Sequence, residues 1–123
     1  MAARWDERGK RGAALWDPRV LADIGDPELT AEIVELFTRQ MSDALPELSA
    51  ALERGSGEHV HALAHRLKGS ALTVGAPRLA ALLEELSTAG ASAQLADAME
   101  LLPRLTDTWQ ATAAELAKSR RQR

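Results

Sequence analysis

A chain of 123 residues, 46% of them apolar and none of them cysteine, is long enough for one domain with a buried core. It is too short for two domains and unable to form disulfides or thiolate metal sites. Its apolar runs fall short of the roughly 18 residues of a membrane span, and its first twelve residues are charged where a secretory signal is apolar, so a cytoplasmic protein is expected. The net charge of −3 hides a body of −9 between ends of +2 (residues 1–12) and +4 (residues 118–123), and an acidic body argues against nucleic acid as the main partner.

Turn signals divide the chain. Residues 1–15 read as a flexible basic segment. Asp17-Pro18 reads as an N-cap with proline at the first helical position, opening a short helix that stops near Gly25. Asp26-Pro27 repeats the signal and opens a long helix, with Leu29, Ile33, Leu36, Phe37, Met41, Ala44, Leu48 and Leu52 as its apolar stripe. Pro46 falls inside that pattern and predicts a kink or two abutting helices. Gly55-Ser56-Gly57 ends it. A third helix from Glu58 to about Val74 buries Val60, Leu63, Ala64, Leu67, Ala71 and Val74, and Gly75 stops it. Pro77 starts a fourth, which buries Leu79, Leu82, Leu83 and Leu86 and ends at Gly90. Ser92 is the expected cap of a last helix with Leu95, Met99, Leu102, Trp109, Ala113 and Leu116 inward, bent at Pro103. The expected fold is all-α: an antiparallel four-helix bundle over residues 16–117 with a short additional N-terminal helix, followed by a basic tail over 118–123.

The third helix carries the chemistry. At 100° per residue His65 lies about 200° from Leu63 and Leu67, so it faces solvent when that stripe faces the core. The outward face reads His61, Ala62, His65, Lys68, Gly69, Leu72. Residues three and four apart on a helix are surface neighbours, so Lys68 and Gly69 both flank His65. A glycine inside a helix costs about 1 kcal/mol relative to alanine. Either close helix packing explains it, or the missing side chain leaves room for something bulky to approach the imidazole. A neutral imidazole is a competent nucleophile near neutral pH, and Lys68 can offset the charge of a phosphoryl dianion. Ser70, about 140° round from His65, could donate a hydrogen bond or serve packing. The chain has no G-x-x-x-x-G-K-[ST] loop and no evident carboxylate cluster for Mg²⁺, so it could hold a phosphoryl group without taking one from ATP.

The run His61-Ala62-Leu63-Ala64-His65-Arg66-Leu67-Lys68-Gly69-Ser70-Ala71-Leu72-Thr73-Val74-Gly75-Ala76, followed by Leu79 and Leu82, closely resembles the signature of histidine-phosphotransfer (HPt) domains. With the upstream run from Asp17 to Phe37, the likeness covers about residues 16–117. It implies a four-helix bundle that relays phosphoryl groups between aspartates of receiver domains, as a stoichiometric carrier with no turnover of its own. On that resemblance His65 is the phospho-acceptor, Lys68 stabilises the phosphoryl group, Gly69 provides clearance and Gly75 is the turn between the central helices. His61, Ala62, Ser70, Leu72 and Ser87 form the expected partner-binding rim. The implied partners are response-regulator receiver domains and a hybrid histidine kinase. No cofactor is expected on this chain, Mg²⁺ belongs to the receiver, and the protein is expected to be a monomer that binds neither nucleic acid nor membrane. One departure stands out: several family members carry, on the second central helix, a glutamine that reaches the histidine, and here that position is Ser87. A serine is too short for that task without water, so the orientation of the imidazole must rest on something else.

Two rival readings come from other classes. His61 and His65 have the i, i+4 spacing of paired metal ligands, with Glu58 one turn earlier, although His59 points elsewhere and Lys68 sits poorly beside a dication. Alternatively, Ala62 and Leu72 mark a helical docking module that carries no phosphate.

Overall fold

The structure, a computed structural model, describes residues 14–121. Most of the expected flexible segment (1–13) and the end of the tail (122–123) lie outside the described residues. Five helices follow one another: α1 (Pro18–Ala22), α2 (Pro27–Glu53), α3 (Gly57–Val74), α4 (Pro77–Ala91) and α5 (Leu95–Arg121). Helix α3 packs on α4, α4 on α5, α5 on α2 and α2 on α3, which closes a four-helix bundle, while α1 lies against α3. Short connections force each bundle helix to run antiparallel to the one before it.

The starts of the helices follow from side chains read in the sequence. Asp17 accepts the backbone N–H of Arg19, and Asp26 accepts those of Glu28 and Leu29. The side-chain and backbone N–H groups of Arg19, in that order, hold the Asp17 carboxyl below its ordinary range. A carboxylate so depressed keeps its cap through the ordinary range and loses it only as pH falls through the lowered value. At the far end of α3, Gly75 adopts φ +84, the left-handed C-cap that its position predicts. There the chain doubles back on itself. The Asp17 N–H donates to the Gly75 carbonyl (2.7 Å), and the Trp16 indole N–H donates to the Val74 carbonyl (2.9 Å). The Arg78 N–H donates to the Ala14 carbonyl, so residue 14, expected to be flexible, is tied to the start of α4. A Cβ at position 75 would stand 2.6 Å from the Asp17 carbonyl and 2.9 Å from Val20 Cβ. Gly75→Ala is therefore expected to destabilise the fold by about 1–3 kcal/mol, combining a strained φ with overpacking, read as a lower urea midpoint at unchanged slope.

Both prolines sit inside continuous helices: α2 runs unbroken through Pro46 and α5 through Pro103. Pro46 and Ser42 are exposed, as are Pro103 and Met99, so the carbonyl that each proline leaves unpaired sits where water can reach it. Helix α5 also continues through Arg121, which makes residues 118–121 of the expected tail helical. Ser92 does not cap α5. It closes α4, donating its N–H to the Thr88 carbonyl, and α5 starts three residues later.

The buried stripe of α3 is the one predicted, and α4 buries the predicted Leu79, Leu82, Leu83 and Leu86 together with Ala80, Ser87, Ala89 and Gly90. In α2 the core side chains are Val34, Phe37, Met41, Ala44, Leu48, Ala51 and Leu52, while Leu29 and Leu36 (62% exposed) project outward. In α5 the core is Ala98, Leu101, Leu105, Trp109, Thr112 and Leu116, at steps of three and four, and Met99 is 55% exposed. Phe37 and Trp109 join α2 to α5 edge to face, with ring centres 5.4 Å apart. Trp109→Ala should cost about 3–5 kcal/mol, seen as a lowered unfolding midpoint, because the indole fills the space between these two helices. No helix among the described residues is long and apolar enough to cross a membrane.

Candidate functional site

The site is the outer face of the α3–α4 hairpin. Helix α3 buries Val60, Leu63, Ala64, Leu67, Ala71 and Val74, and that phase leaves His65 exposed, with Ala62, Gly69 and Leu72 (51% exposed) around it. Ser70 is half-buried, about 140° round the helix from His65. The face predicted for His65 is thus the face it occupies, and nothing in the core competes for its imidazole.

Gly69 distinguishes the two explanations offered for it. A Cβ built at that position meets no heavy atom within 4 Å. Close helix packing is therefore not the reason for this glycine, and the space beside His65 is open. The glycines at 57 and 90 behave in the opposite way. A Cβ on Gly90 would lie 2.7 Å from the Gly57 carbonyl oxygen and 2.8 Å from the His61 nitrogen. There the backbones of α3 and α4 approach as closely as hydrogen atoms allow, one turn from His61.

That approach explains two contacts that the sequence reading missed. The Lys68 ammonium donates to the Glu84 carboxylate across the hairpin at 2.9 Å, with its side chain 33% exposed. Lys68 thus belongs to both helices, and Glu84 steadies it one turn from His65. Ser87, expected on the partner-binding rim, is instead buried (4% exposed) behind it. Its hydroxyl lies 2.8 Å from His61 Nδ1, and its carbonyl oxygen lies 3.0 Å from the same nitrogen. The correction has a physical basis: a short side chain at 87 reaches only what α3 presents directly opposite, and that is His61. The rings of His61 and His65 lie nearly parallel, with centres 6.0 Å apart.

The metal reading finds no support in the donor set. His59 pairs with Glu47 of α2 at 2.9 Å, away from His61 and His65. Among the described residues no three His, Cys, Asp or Glu side chains are grouped so as to hold an ion.

Comparison with known proteins agrees with this geometry. A stretch of the chain is 39% identical over 64 residues to histidine-containing phosphotransfer protein 5 of Arabidopsis thaliana, covering 50% of this chain and 41% of that protein. The chain thus spans about two-fifths of the length of that relative. The fold superposes on the crystal structure of histidine-containing phosphotransfer protein B from Pseudomonas aeruginosa PAO1 with a TM-score of 0.84 and 24% identity, covering 90% of this chain and 98% of the other. Residues 32–116, from the first turns of α2 to the last buried leucine of α5, match the family model of the Hpt domain, so the chain belongs to the Hpt domain family.

Proposed function

We propose that the chain accepts a phosphoryl group on His65 from the aspartyl phosphate of one receiver domain and hands it to the aspartate of another, with a hybrid histidine kinase as the upstream source. Membership of the Hpt family supports a phosphorelay carrier role. The observation that supports the assignment of the site is the pairing of an exposed His65 with open space over Gly69. In transfer, a lone pair on one ring nitrogen of His65 attacks phosphorus in line with the leaving oxygen. The N–P bond forms as the P–O bond to aspartate breaks, and the carboxylate departs with the electron pair. The ring keeps the hydrogen on its other nitrogen, gains positive charge, and sheds that charge by releasing the proton. The reverse steps deliver the group to the next aspartate, so the partners set the direction. Any metal required is the receiver's. Ala62 and Leu72 provide apolar contact for the docking receiver, and Ser70 stands at its edge.

The test is transfer of labelled phosphate from a phosphorylated receiver to the wild-type chain and to His65→Gln. Label that reaches only the wild type, acid-labile and alkali-stable, supports the assignment. Equal labelling of both, or of neither, contradicts it.

Lys68 is the cation placed to meet the phosphoryl oxygens. Hydrogen bonds to charged groups contribute about 1.5–3 kcal/mol, so Lys68→Ala should slow transfer roughly 10- to 100-fold in rapid-quench assays. Stability should change little, because a half-exposed ion pair such as Lys68–Glu84 contributes under about 1 kcal/mol. Unchanged transfer in this variant removes Lys68 from the mechanism.

A further inference from the structure

We propose that His61 is a positioning residue for phosphotransfer: its Nδ1–H is held by Ser87 of α4, and its bare Nε2 accepts, directly or through one water, the N–H of the His65 ring nitrogen that does not attack. The proposal rests on the carrier reading and deepens it.

The tautomer follows from the partners. A carbonyl oxygen cannot donate, so the 3.0 Å contact between His61 Nδ1 and the Ser87 carbonyl is favourable only if Nδ1 carries the hydrogen. The Ser87 hydroxyl, 2.8 Å from the same nitrogen, then accepts from it as well, and its own hydrogen turns to the His61 carbonyl at 3.4 Å. Both hydrogen bonds of this buried serine's hydroxyl are with His61. With the hydrogen on Nδ1, Nε2 of the neutral ring is an acceptor. The two nitrogens of an imidazole point in nearly opposite directions, so anchoring Nδ1 to α4 turns Nε2 away from α4, onto the outer face.

His65 stands on that face one turn later. Helical side chains lean toward the N-terminus, which carries the His65 ring back over the turn that bears His61. The rings are stacked, nearly parallel with centres 6.0 Å apart, so the proposed contact is made through a bridging water or after the exposed His65 ring rotates. An acceptor there does two things. It selects the tautomer of His65 whose free lone pair faces the open space over Gly69, and it stabilises the positive charge that the ring gains as the N–P bond forms. His61 thus supplies the orientation that Ser87, in the place of a longer glutamine, cannot supply itself. The Gly57–Gly90 approach is what brings a serine within reach of it.

The test uses two isosteres of opposite ends of the ring. In His61→Asn the amide matches Nδ1, which retains the contact with Ser87 and deletes the outward acceptor. In His61→Gln the amide oxygen can reach the Nε2 position and keep the outward acceptor. Transfer from a phosphorylated receiver is measured over a range of receiver concentrations, alongside ¹H–¹⁵N spectra of the histidine rings. At saturating receiver, His61→Asn should be about three- to tenfold slower than wild type and His61→Gln near wild type, with half-saturation unchanged in both. The wild-type spectrum should show His61 protonated at Nδ1. A merely structural role gives the reverse order, with Asn tolerated and Gln impaired, and overturns the proposal. So does an Nε2–H tautomer for His61, which can be read whether or not transfer occurs. If the wild type takes up no label, the carrier reading fails and this inference falls with it. If the wild type is labelled and His61→Asn matches its rate, only the inference is lost.

Discussion

Gly69→Leu is expected to cut transfer from a phosphorylated receiver at least about a hundredfold while leaving the bundle more stable than the wild type. The two effects have separate causes. A Cβ at position 69 meets no heavy atom within 4 Å, so the new side chain leaves the helix into open space. Replacing a glycine inside an exposed helix face with a strong helix former should add about 0.5–1 kcal/mol. That same space is where a receiver's aspartyl phosphate has to come within reach of His65. A misplacement of about 1 Å at a reacting centre can cost on the order of a hundredfold, and an isobutyl group excludes far more than that. A variant that melts higher and transfers slower separates clearance from packing. If Gly69→Leu transfers at the wild-type rate, the open space has no part in the chemistry.

Gly90→Ala should show the opposite pattern, with stability lost first. The added methyl would lie 2.7 Å from the Gly57 carbonyl, 2.8 Å from the His61 nitrogen and 3.1 Å from Val60 Cγ1. Two of those three neighbours are backbone atoms of α3, which cannot turn aside as a side chain does. The helices must separate at this end, and overpacking of this kind costs about 1–3 kcal/mol. Urea unfolding should give a lower midpoint with an unchanged slope, since the surface exposed on unfolding is the same. The separation should also draw Ser87 away from His61, so the ring spectrum of His61 should shift in the folded variant. A wild-type midpoint in Gly90→Ala would mean that the two backbones are not in contact. One amino acid thus has two meanings in the same helical hairpin, and only the neighbours at 69 and at 57 and 90 decide which applies.

Much of this was legible in the sequence because α3 and α4 each have an unambiguous apolar phase. Leu63 and Leu67 fixed the outward direction of His65, and Gly75 fixed the turn. The phase of α5 was harder to read, because apolar residues crowd both sides of its first turns. Choosing the larger Met99 over Ala98 rotates the first turn of the stripe by one residue, whereas Leu102 packs half-buried against the core beside the buried Leu101. Leu36 was misplaced for a related reason, since the buried Val34, Phe37 and Met41 set a phase that turns it outward, and Leu29 precedes Val34, the first buried residue of α2. Ser87 could not be placed from its own helix at all. Its partner depends on how closely α3 and α4 approach, and that distance is set by two glycines 33 positions apart in the chain. Glu84 shares this property, since its contact with Lys68 exists only across the hairpin.

The most direct measurement of the central claim is the ring spectrum of ¹⁵N-labelled protein after exposure to a phosphorylated receiver, recorded with ³¹P detection. A one-bond nitrogen–phosphorus coupling is expected on a single ring nitrogen of His65, and on no nitrogen of His59 or His61. Phosphorus coupled to another histidine, or phosphate taken up by the chain without any nitrogen coupling, would contradict it.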